Sequence, residues 1–188
     1  MNHLKIILGE FKKSLIRFLT PEKPIEFIER IVRSSYYFML KDYGFKITER
    51  KEGSFCSASI VIENEKLAIC FMIDGRDNLK DILLSKPANK FESPHERCQQ
   101  NLFDIRTLIN LLEQLGYNMK GIVCPEGRSK DRFDKQGVAS FENYVLFFKQ
   151  YLSVLYEYFM TDKYGLLIDM YNSYYGLKCG TKYKNDLL

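Results

Sequence analysis

Cys124-Pro125-Glu126-Gly127-Arg128-Ser129-Lys130 is the stretch of this chain whose residue types come nearest to a reaction. Its outline is that of a phosphatase loop, in which a cysteine thiolate attacks phosphate while backbone amides and an arginine five intervening residues later hold the anion. Here the closing position is Lys130, and Glu126 would direct a carboxylate at the phosphate, so the run reads as a basic surface loop. A second set is Asp42, Glu49 and Lys51, two carboxylates to hold magnesium and a lysine to polarise an attacked phosphate. Glu49 and Lys51 share a strand face, but they stand just ahead of a glycine turn, where a solvated strand end is the simpler account. His3 and His95 are the only imidazoles, both beside expected loop or terminal positions, and His95, between Pro94 and Glu96, reads as an exposed residue of a helix entry. No catalytic, cofactor-binding or metal-binding residue is therefore assigned, and the chain is read as more consistent with binding than with catalysis.

The elements that must carry these residues follow from composition and period. A chain of 188 residues with 46% apolar content can bury one core and is short for two. Five scattered cysteines, Cys56, Cys70, Cys98, Cys124 and Cys179, include no Cys-x-x-Cys pair, which predicts reduced thiols, no structural zinc and a cytoplasmic location. The Leu4–Leu8 run is followed by Glu10, Lys12 and Lys13 without a small-residue cleavage site, so neither a signal peptide nor a membrane span is expected. A formal charge of +4 with interleaved signs permits nucleic-acid binding without suggesting it.

A first helix is expected over Ile6–Leu19, stopped by Thr20-Pro21. A second runs from Pro24 with Ile28, Ile31, Val32, Ser35 and Met39 at helical spacing, ending at Tyr43-Gly44. Period two then takes over in Phe45 and Ile47, in Cys56, Ala58, Ile60 and Ile62, and in Leu67, Ile69, Phe71 and Ile73, the last strand being apolar on both faces and so central. Glu52-Gly53-Ser54 and Glu63 to Lys66 are the reversals, and Leu79 to Leu84 supplies a further strand. Leu102, Ile105, Ile109, Leu112 and Leu115 line a helix that Gly116 ends, a long exposed loop covers Cys124 to Gly137, and a helix from about Ser140 to Met160 is apolar on more than one side. Such a helix must be covered twice, by the sheet and by either the Tyr164 to Tyr175 segment or another chain.

The order of helix, Leu40-Lys41-Asp42-Tyr43-Gly44-Phe45-Lys46, Ile60-Val61-Ile62-Glu63-Asn64-Glu65-Lys66, Ile73-Asp74-Gly75-Arg76-Asp77, then Leu108-Ile109-Asn110-Leu111-Leu112 and a closing Tyr- and Phe-rich helix resembles small uncharacterised bacterial proteins that look like polymorphic-toxin immunity proteins. The resemblance covers roughly residues 25 to 160 and implies a compact α+β binding protein that neutralises a partner by covering its active site.

The expectation is thus an α+β chain with an antiparallel sheet of three to four strands flanked by helices, residues 1–160 forming one domain and 161–188 a helical appendix and tail. Glu63, Glu65, Asp74, Arg76 and Asp77 are assigned to partner binding, the partner being a protein, in the immunity reading a basic toxin. The alternative is a nucleic-acid-associated protein or weak metal-dependent nuclease that contacts phosphate through Lys120, Arg128, Lys130, Arg132 and Lys135. A third reading makes the aromatic-rich C-terminal helix a homodimer seam.

Overall fold

Pro24 opens the first described helix, α1 (Pro24–Ser35), where its fixed φ suits the first turn and Glu26 complements the helix dipole. The structure is a computed structural model that describes residues 22–74, 79–87, 102–122 and 135–178, so the Ile6–Leu19 helix lies outside the described residues. Phe27, Ile28, Ile31 and Val32 form the buried face of α1. The helical period does not run on to Gly44 as expected. Tyr36 breaks it with φ −106° and ψ 15°, and a short α2 (Tyr37–Asp42) follows. The cause is packing: Tyr36 is fully buried, its hydroxyl donates to the Phe141 carbonyl at 2.5 Å, and Ser35, which the period placed in the core, instead bonds Glu142 at the surface.

Gly44, at φ +69°, lets the chain leave α2 and enter β1 (Lys46–Glu52). A turn of 3-10 helix at Ser54–Cys56 leads to β2 (Ala58–Glu63). Cys56 therefore stands outside the strand that its spacing predicted; its φ of 57° puts it in the left-handed region and its side chain is exposed. Strands β3 (Ala68–Asp74) and β4 (Leu79–Ser85) continue the meander, and β5 (Phe103–Asp104) adds two residues at its border. The order is β1-β2-β3-β4-β5, every neighbour antiparallel, with a bulge in β1 between Ile47 and Glu49. Five strands replace the three to four expected, because a two-residue strand carries no readable period. The central position of β3 agrees with its two apolar faces.

One sheet face, carrying Ala58, Ile60, Ile62, Ile69, Phe71, Ile73, Ile82 and Leu84, packs under the helices into one core, where each fully buried large side chain contributes roughly 1.5–3 kcal/mol. On the other face Val61, Cys70 and Leu83 align across three strands and are also buried. Asp104 caps α3 (Ile105–Gln114) by accepting from the Thr107 amide at 2.9 Å, and Gly116, φ +91°, closes it with Tyr117 N–H bonded to the Leu112 carbonyl. Leu102, expected inside this helix, precedes both β5 and the cap.

Helix α4 (Lys135–Met160) begins five residues ahead of expectation, so Lys135, Gln136 and Gly137 are helical and the rest of the expected loop lies outside the described residues. Its second covering comes from within the chain. Tyr117, Met119 and the Asn118 carbonyl, which accepts from Tyr151, pack on one side, and α5 (Lys163–Lys178) packs on another through Tyr164, Leu167 and Tyr171. Those three residues of the 161–188 stretch belong to the same core as the sheet. No helix among the described residues is long and apolar enough to cross a membrane.

Candidate functional site

The β2–β3 reversal is built by Asn64. Its Oδ1 accepts from the backbone amides of Lys66 at 2.9 Å and Leu67 at 3.0 Å, a short polar side chain standing in for backbone at a turn, and its backbone N–H donates to the Leu67 carbonyl at 3.1 Å. The other end of the side chain reaches across the fold. Asn64 Nδ2 donates to the Tyr43 carbonyl at the close of α2, 2.9 Å away, and to the Tyr156 hydroxyl on α4, 2.6 Å away. One residue therefore fixes a hairpin, a helix end and a second helix against each other.

These three elements, with Lys46 and Thr48 of β1 and Pro87 beyond β4, line an open groove of about 730 Å³. Tyr43 and Tyr156 meet edge to face with centroids 6.4 Å apart, and Phe38 extends the line against Tyr43 at 6.2 Å. Lysines stand over the ends of this ridge: Lys66 Nζ is 5.1 Å from the Tyr156 ring centroid and Lys149 Nζ is 5.5 Å from that of Phe38. Lys149 and Tyr156 are seven apart on α4 and so share a face. Asp42, Glu63 and Glu65 put three carboxylates on the groove wall against the ammoniums of Lys46 and Lys66. Lys46 sits opposite Glu63 in the strand register, and Lys66 lies 4.0 Å from Glu65. Burial pushes the Tyr156 phenol above its ordinary value, while the bond from Asn64 works the other way.

Of the residues assigned to partner binding, Glu63 and Glu65 line this groove. Asp74 closes β3 at the opposite end of the sheet, about 20 Å from the hairpin for a seven-residue strand, and Arg76 and Asp77 lie outside the described residues. Asp42 reaches the groove from the end of α2, whereas Glu49 and Lys51 pair with each other on β1. Among the described residues no group of three His, Cys, Asp or Glu side chains could hold a metal ion. The Cys124 loop, His3 and His95 lie outside the described residues, as do Arg128, Lys130 and Arg132; Lys120 is exposed just after α3. Sequence reasoning missed Tyr43, Asn64 and Tyr156 as a unit. Their signal was faint, a turn-forming asparagine and a tyrosine one turn-pair beyond Lys149.

Elsewhere the surface carries a tighter polar knot. Glu29 on α1 accepts from Arg33 one turn on, at 2.8 Å, and from Arg50 on β1, at 3.0 and 3.2 Å. The Arg50 and Arg33 hydrogen bonds hold its carboxyl down at about 2. The knot staples helix to strand and leaves no unpaired acid or base to act on a substrate.

Comparison with protein-family models, with curated proteins and with solved structures finds no match to this chain.

Proposed function

We propose that this chain is a non-enzymatic protein-binding domain that inhibits a basic protein partner by docking on it through the β2–β3 hairpin. The observation that carries the proposal is the pairing, in one groove, of the Glu63 and Glu65 carboxylates with the rings of Tyr43 and Tyr156. Exposed carboxylates steer a cationic partner and set the rate of encounter, while half-exposed tyrosines supply contact area at small entropic cost. A nucleic-acid-cleaving toxin is the class of partner that the resemblance to immunity proteins implies, because an enzyme that grips phosphate presents a basic surface to cover.

The test is retention of a partner from the native cell on the full chain at low and high salt, with mass spectrometry and a nucleic-acid stain on the eluate. A stoichiometric protein held at high salt by the native chain, and captured more slowly by the Glu63→Gln/Glu65→Gln variant, is the expected result. Recovery of nucleic acid that disappears as salt rises, or an unchanged association rate for the variant, removes the proposal.

A further inference from the structure

The geometry points to an arginine slot in the hairpin groove, filled in the free protein by the chain's own Lys66 and opened when a partner's guanidinium displaces it; this rests on the docking reading above. Lys66 shows what the slot accepts. Its ammonium lies between the face of Tyr156, 5.1 Å from the ring centroid, and Glu65, 4.0 Å from a carboxylate oxygen. That is a cation held between an aromatic face and an acid. Yet the hold is loose. At 4.0 Å the ion pair is beyond hydrogen-bonding distance, and the two side chains remain 43% and 83% exposed, so water competes for both.

A guanidinium suits the same walls better than an ammonium does. It stacks flat on an aromatic ring, gives a carboxylate two parallel hydrogen bonds, and is less costly to strip of water. Glu63 and Asp42 stand in the same groove as further acceptors. The ring wall is set in advance, because the Tyr156 hydroxyl is held by Asn64 at 2.6 Å, so binding does not have to order it. At about 730 Å³ the groove also has room for residues flanking the arginine, and it falls inside the size range of pockets, roughly 300–1,000 Å³, that enclose small ligands. Three carboxylates against two ammoniums disfavour a phosphate backbone as the occupant. Lys66 is then an internal competitor, and removing it should strengthen binding, which is the opposite of what removing a contact residue does.

The experiment titrates the full chain with three fluorescent probes: a peptide of arginines spaced by glycines, its lysine counterpart, and a single-stranded oligonucleotide. The arginine peptide is expected to bind several-fold more tightly than the lysine peptide, and Lys66→Met to tighten the arginine peptide further. In the unaltered protein, NMR should show the Lys66 ε-methylene protons shifted by the Tyr156 ring current when free, and returned to their open-chain position when the peptide saturates. If Lys66→Met weakens the arginine peptide or leaves it unchanged, or if the ε-methylene shift survives saturation, the slot is overturned. The docking face is judged separately, by the effect of Glu63→Gln/Glu65→Gln on partner association. An oligonucleotide that binds the native chain and is lost from Lys66→Met overturns both.

Discussion

Two lines of aromatic rings run through this molecule, built alike and buried to different depths. At the β5 border Phe103 touches Phe159 at 5.5 Å, Tyr164 at 5.9 Å and Tyr171 at 4.9 Å, and Lys86 Nζ stands 4.0 Å over Tyr164. At the hairpin Phe38, Tyr43 and Tyr156 meet in the same edge-to-face manner, with Lys149 and Lys66 at the ends. What separates them is depth. Tyr164 is 9% exposed and burial pushes its phenol up to about 12, whereas Tyr43 is 41% exposed. Ring geometry and a neighbouring lysine thus do not distinguish a buried core from a half-exposed ridge; the water left on the rings does.

The comparison is broken or sharpened most strongly at Phe103. Phe103→Ala leaves a cavity among three rings and should cost ~3–5 kcal/mol by urea unfolding; a loss near that of an exposed site would mean the β5 cluster is not core. Asn64→Ala is next. It strips the hairpin of its turn bonds and the ridge of its clamp, and an expected loss of ~1–3 kcal/mol should come with shifts in the Tyr43 and Tyr156 NMR signals, since both partners lose the Nδ2 donor. Tyr43→Ala should cost no more than ~1 kcal/mol in stability, as surface substitutions do, while weakening partner association. A stability loss matching that of Phe103→Ala would place Tyr43 with the core.

The smallest effect is expected at the Glu29 knot, where pH replaces mutation. The folded carboxyl sits at about 2, below the ordinary 4.5, so its contribution is intact above 4.5 and is lost as pH falls through about 2. For an exposed pair this amounts to ~1 kcal/mol or less. The urea midpoint of the native chain should fall more between pH 5 and pH 2 than that of Glu29→Gln, and parallel curves would show that the knot adds nothing.

Strand β2 was legible because its six residues alternate, β3 because a seven-residue run is apolar on both faces, and β4 as a short run with Leu79 and Leu84 at its ends, while Gly44 and Gly116 marked helix ends because L-residues avoid positive φ. The break at Tyr36 was not, since no proline or glycine marks it and its partners, the Phe141 carbonyl and the Phe71 and Phe148 rings, are distant in sequence. β5 was too short to show a period. For the groove, the acids stand out in the sequence and the rings do not. Glu63 and Glu65 announce themselves as turn charges, but the meeting of Tyr43 with Tyr156 spans more than a hundred residues of chain and depends on two hydrogen bonds from one amide.

The strand β1 carries Lys46, Glu49, Arg50, Lys51 and Glu52 within seven residues and a bulge at its start, and among the described residues it borders the sheet. A border strand is a template on which a second copy could extend the sheet indefinitely. Lined with charges of both signs and kinked out of register, this one makes a poor template for a second copy.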